Sequence, residues 1–263
     1  MNEPTTVALA TAGAVAWLWA WHQFAPRPED RQLDFEFIER PPAWLVFVSF
    51  SLFVMVPTLV ALGIGIPKDL ADEDKVRRML AASVASGPIV VAGVLLSMSA
   101  ARLPWWMIGI TRQGWRSATV EGFRVVWEWL PLVVCVNVLV RMVFPKEVEQ
   151  INSVEKVLLA QPPLDLALWA AAAAVLRAPI VEELVFRGLF QSWFNMFTAW
   201  PAILSASIVF AAVHSSAWPD PIPLVLVGVM LGLAFQRTRN LLAPIVAHAL
   251  FNGVMTAVAL LYH

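Results

Sequence analysis

AAAAVLRAPIVEELVFRGLFQSWF, residues 171–194, is apolar along most of its length, yet it carries two adjacent glutamates, Glu182 and Glu183, with Arg187 four residues further on. An ionised carboxylate or guanidinium at the centre of a membrane helix costs about 2.5–3.5 kcal/mol on insertion scales. Three such groups in one helix are tolerable only if they face one another or a wet cavity, never lipid. The stretch therefore decides the fold: a membrane helix with a polar interior to look into.

The rest of the chain fits that setting. Of its 263 residues 59% are hydrophobic and 14% charged, and the mean hydropathy is +0.71; soluble domains run at roughly 45–50% apolar and 25% charged. The composition is that of an all-α, polytopic integral membrane protein. Thirteen tryptophans against one tyrosine, many at the ends of apolar runs (Trp44, Trp105, Trp106, Trp200, Trp218), fit an aromatic belt at the membrane surface. A net charge of −1 offers no basic field, so a nucleic-acid partner is not expected. The single cysteine, Cys135, rules out an intrachain disulfide and a cysteine-rich metal site.

A hydrocarbon core of about 30 Å calls for spans of about 20 apolar residues. About eight candidates follow, near 5–24, 43–66, 79–98, 126–144, 164–186, 200–214, 221–236 and 241–262. The sixth and seventh are short, which suits half-buried or broken helices around a cavity. The first has no basic residue before it and reads as a retained span rather than a signal. The connections are too short for a soluble domain, so residues 1–263 form a single membrane domain, with N-terminal spans over 1–160 and the polar site over 164–256. The stretch from 99 to 125 mixes Trp and Arg and is expected to hold an interfacial amphipathic helix.

Glu183 and Arg187 are four residues apart, acid first, the favourable order for a pair on one helix face. Glu182 is displaced from its neighbour by about 100° and has no local countercharge of this kind. A carboxylate so placed can serve as general base or acid, and Pro179, which removes a backbone donor, loosens the helix beside it. Two further sets have helical spacing: Phe210 and His214 in SIVFAAVHSSAW, and His248 and Asn252 in LLAPIVAHALFNGV. Each buried polar group needs a partner, and one shared site provides them all. His22 and His263 lie near segment or chain ends and receive no role.

Such a set can direct water onto a carbonyl. Glu182 and His214 would deprotonate the water, and His248 and Asn252 would face the oxyanion. No serine or cysteine nucleophile motif is present. A cofactor is not required by this chemistry, although Glu182, His214 and His248 are also ligand types of catalytic zinc, without an HExxH motif. Arg177, two residues before Pro179, reads as an interface residue that snorkels, or else as a second partner for the buried acids.

Three motifs, EExxxR at Glu182–Arg187, FxxxH at Phe210–His214 and HxxxN at His248–Asn252, resemble in order the signatures of the CPBP family, also called the CAAX protease, bacteriocin-processing or Abi family. It includes the type II prenyl endopeptidase. The resemblance covers about residues 164–256. It implies an eight-helix intramembrane endopeptidase in which Glu182 and His214 activate water, His248 and Asn252 form the oxyanion site, and Glu183 with Arg187 is a structural pair. It also implies a membrane-associated or prenylated peptide as substrate, with the lipid bilayer of a prokaryotic cell as setting. The competing readings are a zinc-dependent version of the same protease, a non-catalytic membrane scaffold or immunity-type protein, and an ion-coupled transporter.

Overall fold

The computed structural model describes residues 40–65, 72–144, 162–194, 199–214 and 218–261, and every regular element among them is helical. The helices are α1 (Ala43–Ile64), α2 (Asp72–Ala100), α3 (Trp115–Val143), α4 (Leu164–Phe194), α5 (Ala199–Ala212), α6 (Pro221–Thr238) and α7 (Leu242–Leu261), with a 3-10 turn at Trp105–Ile108 between α2 and α3. Pro42 and Pro163, both extended, directly precede α1 and α4. The lack of a proline N–H does no harm there, where helical donors have no partner in any case.

Six of these helices are long and apolar enough to cross a membrane. The count of about eight is not reached among the described residues. The apolar run at 5–24 lies outside them, and α5, with 14 residues, is the shorter one. At 1.5 Å per residue it extends about 21 Å, short of a core of about 30 Å. The seventh expected segment is enclosed as its reading had it, but it is longer and unbroken. α6 is a full 18-residue helix and, with 61% of its length buried, the most enclosed of the six. The stretch from 99 to 125 also differs, because the helix that starts at Trp115 runs unbroken into the next span.

α4 is central, touching α1, α2, α5, α6 and α7, whereas α3 packs on α6 and α7. Two of the apolar clusters among the described residues hold many of these contacts. One joins α3, α6 and α7 through Val125, Val133, Met230, Leu231, Ala247 and Phe251. The other joins α1, α2, the 3-10 turn and α4 through Leu45, Met98, Ile108, Leu184 and Leu189. Much of the outer surface is equally apolar (Phe47, Leu62, Val143 and Leu164 are each about 70% exposed or more), as lipid requires. Glu183, Arg187 and Gln191 of α4 are turned inward, against α6 and α7.

Candidate active site

α4 is not a uniform helix. Ala172–Arg177 and Leu184–Gln191 are π-helical, and they flank the α-helical turn Ala178–Glu183 that carries both glutamates. Wide turns of this kind recur at functional sites. Pro179 accounts for the first, since it has no N–H and its ring crowds the carbonyl four residues back. The Ala178 N–H bonds Ala173 O, five residues back. In that register the next carbonyl, Ala174 O, would need the N–H that Pro179 lacks. Asn252 Nδ2 supplies the bond instead, at 2.7 Å. After the second wide turn Ser192 Oγ donates to Arg187 O at 3.2 Å.

Arg187 is completely buried. Its Nη1 donates to Glu183 Oε1 at 3.0 Å and its Nη2 to Gly228 O on α6 at 3.1 Å, while the guanidinium lies 4.7 Å from the ring centre of Phe210. A desolvated cation–π contact of this kind is worth about 2 kcal/mol. Gly228 is needed here: a Cβ on it would come within 2.7 Å of the Ser207 side chain, so α5 and α6 could not close together over the guanidinium. The Glu183–Arg187 pair inferred from spacing is present. Glu183 does more than neutralise, however, because the same Oε1 accepts His248 Nδ1–H at 2.7 Å. That contact fixes the ring of His248, as a carboxylate does for a catalytic imidazole.

Glu182 is buried but differently held. Its Oε1 lies 4.0 Å from Arg177 Nη1, and its Oε2 lies 4.0 Å from His248 Nε2. Both separations exceed hydrogen-bond range. Glu182 is thus flanked by a guanidinium and an imidazole without being tied to either. Of the two readings of Arg177, this contact favours the partner of the buried acids: its side chain is 12% exposed and stands beside Glu182. The chain passes through the wide turn just before Pro179, which directs the long stem toward α2 and the acids; spacing on a regular helix does not reveal this.

His214 follows the end of α5 and makes no hydrogen bond or ion pair with Glu182. Its Nδ1 donates to Phe210 O at 2.8 Å, since a carbonyl can only accept, and in the neutral ring the lone pair is then on Nε2. The ring lies 5.0 Å from that of Phe210, which meets His248 edge-on at 5.9 Å and Phe186 edge-on at 5.4 Å. So Glu182, Glu183, Arg187, His248 and Phe210 form one cluster, with His214 joined to it through Phe210. Asn252 shares a face of α7 with His248, but its Nδ2 is occupied by Ala174 O.

This placement bears on zinc. Among the described residues no three acidic, histidine or cysteine side chains are close enough together to share a metal ion. Glu182, His214 and His248 are not gathered around one point as three zinc ligands would be.

Residues 164–254 match the family model for type II CAAX prenyl endopeptidase Rce1-like proteins. This is the family that the three motifs resemble. The matched span holds every residue of the cluster and runs from the start of α4 into the last turns of α7. YpbD of Bacillus subtilis (strain 168), described as uncharacterized, is 25% identical to this chain over 141 residues, which make up 51% of the chain and 69% of YpbD. No solved structure matches. Six apolar helices and the similarity of residues 164–254 to this family mark the chain as a multi-pass membrane protein.

Proposed function

We propose that the chain is an intramembrane endopeptidase that hydrolyses peptide bonds of membrane-associated substrates, prenylated CAAX-type peptides among them, with water activated by Glu182. The observation that carries the reading is the contrast within the glutamate pair. Glu183 is engaged through Oε1 by Arg187 and His248, its Oε2 being buried without a partner. Among the described residues, by contrast, no hydrogen bond reaches either oxygen of Glu182, which stands 4.0 Å from Arg177 Nη1 and from His248 Nε2. A carboxylate available for proton transfer next to an imidazole held in place by another carboxylate has the parts of a general acid–base pair.

In this scheme Glu182 takes a proton from the attacking water and returns it to the leaving amine. His248, held at Nδ1 by Glu183, lines the same point in space. His214 keeps a lone pair on Nε2 and serves as a second base at the rim of the cluster. Glu183, Arg187 and Phe210 hold the arrangement, and Asn252 fastens α7 to the widened turn of α4. No metal takes part.

The test is peptide hydrolysis by the purified protein in detergent, using membrane-associated peptides with and without a prenyl group. Cleavage by the wild type, unaffected by a strong chelator, is the expected result. Cleavage lost on chelation and restored by zinc overturns the metal-free scheme, and a wild type that cleaves none of the peptides overturns the endopeptidase reading.

A further inference from the structure

We propose that Arg177 is the anion-binding group of this site, its guanidinium taking up the negative charge that peptide hydrolysis creates beside Glu182. The inference rests on the endopeptidase reading and concerns a residue outside the three motifs.

Arg177 is enclosed but poorly satisfied. Nη2 donates to Ser86 Oγ on α2 at a long 3.4 Å, Nη1 stands 4.0 Å from Glu182 Oε1, and Nε is buried without an acceptor. A guanidinium has five N–H donors, and buried polar groups in folded proteins are nearly always paired. α2 is shaped to admit this one. A Cβ at Gly87 would lie 2.8 Å from Arg177 Cγ, so only glycine lets the stem pass, and Ser86 beside it is fully buried. A position built to bring a cation inward and leave its donors open suits a ligand that is present only part of the time.

The other donors around Glu182 are engaged or screened. Arg187 Nε is also buried without an acceptor, but that guanidinium is tied to Glu183 and lies against the Phe210 ring, whereas Arg177 Nη1 stands 4.0 Å from Glu182. Asn252 Nδ2 is on Ala174 O. Arg187 uses both Nη atoms on Glu183 and Gly228 O. His248 gives its Nδ1–H to Glu183, and in neutral imidazole Nε2 then has no proton to donate. Arg177 is left as the permanently charged donor facing the acid.

Charge counting leads to the same residue. With Glu182 and Glu183 ionised, Arg177 and Arg187 charged and His248 neutral, the cluster sums to zero. Water then attacks the carbonyl carbon: its oxygen forms the new C–O bond, its proton passes to Glu182, and the carbonyl π pair moves onto oxygen. The negative charge leaves Glu182 and appears on the oxyanion, so the sum remains zero with Arg177 beside both positions. Collapse of the oxyanion breaks the C–N bond, the proton goes from Glu182 to the amine nitrogen, and a carboxylic acid and an amine depart. Without Arg177 every stage would carry an unbalanced negative charge in a low-dielectric setting.

Loss of one oxyanion donor lowers kcat by roughly 10²–10³-fold. The test compares wild type, Arg177→Lys, Arg177→Gln and Gly87→Ala in two assays: hydrolysis of a cleaved peptide, and binding of that peptide against its phosphonate analogue, an anionic mimic of the tetrahedral oxyanion. Arg177→Gln is expected to lower kcat by about 10²-fold at nearly constant KM, and to weaken phosphonate binding by a similar factor while peptide binding is unchanged. Arg177→Lys is expected to recover part of both. Gly87→Ala, which keeps the charge and displaces the stem, is expected to lose both in parallel, and it serves where Arg177→Gln does not fold. Unchanged kcat and phosphonate binding in a folded Arg177→Gln or Gly87→Ala protein overturn the inference and leave the protease reading standing. A wild type that cleaves nothing and binds the phosphonate no better than the peptide overturns both.

Discussion

Two charge clusters among the described residues, one partly exposed and one buried, are built differently. The first lies between α3 and α6, where Glu121, Arg124 and Glu128 meet Arg237. All four carboxylate oxygens there lie 2.7–3.6 Å from a guanidinium nitrogen, each acid shared by both arginines. The second surrounds Glu182 and Glu183. There Glu183 is held at 2.7 and 3.0 Å, but Glu182 stands 4.0 Å from each of its neighbours. In a membrane interior close pairing is the lower-energy arrangement, because it offsets the desolvation of both ions. A cluster that satisfies it throughout has a sufficient structural explanation. One that withholds it from a single carboxylate gives up stability at that position, which is a feature of sites that perform chemistry.

The comparison can be broken in several ways. The largest effect on the fold is expected from the arginines of the two clusters. Arg187→Ala leaves Glu183 uncompensated and should cost about 3–5 kcal/mol, the usual penalty for removing one partner of a buried pair; thermal unfolding in detergent measures it. Arg237→Ala should be milder, because Arg124 still contacts both acids of its cluster, and the protein that remains folded should keep its kcat. Both stability and rate are expected to fall for Glu183→Gln, the stability by less than in Arg187→Ala because the amide oxygen can still accept from Arg187. The amide still fills the space, but its hold on His248 Nδ1 weakens, and a loss of about 10–100-fold in kcat is predicted, the range seen when carboxylates that orient metal-bound histidines are changed. The smallest effect sharpens the role of Asn252. Removal of its amide in Asn252→Ala exposes Ala174 O as a buried carbonyl without a donor and should cost about 1–3 kcal/mol of stability. A kcat loss of 10²–10³-fold with stability unchanged would instead mark Asn252 as an oxyanion donor.

Much of this was legible in the sequence. Hydropathy placed seven apolar segments where seven helices stand, and i,i+4 spacing identified the Glu183–Arg187 pair, because both depend only on local periodicity. What escaped depends on departures from that periodicity. The inward path of Arg177 and the capture of Ala174 O by Asn252 both arise from the wide turn before Pro179. A proline announces disturbance, but not the i→i+5 register that follows. Glu183 reaching His248 across 65 residues is a tertiary contact, as is the meeting of Phe210, beside His214, with the His248 ring. Motif spacing names such residues without showing which of them touch. The shared packing of α3 on α6 through Glu121, Arg124, Glu128 and Arg237 was likewise invisible, because its members are far apart in the chain.

The most direct test of the account exchanges one isosteric change between the two clusters. Glu182→Gln and Glu128→Gln are each assayed for peptide hydrolysis and for thermal unfolding in the same detergent. The account predicts that Glu182→Gln loses activity by about 10²–10⁴-fold, the range for general acid–base groups, with its unfolding temperature essentially unchanged. It predicts the reverse for Glu128→Gln, a lower unfolding temperature with kcat retained by the folded protein. A Glu182→Gln protein that still cleaves peptide at the wild-type rate would contradict it.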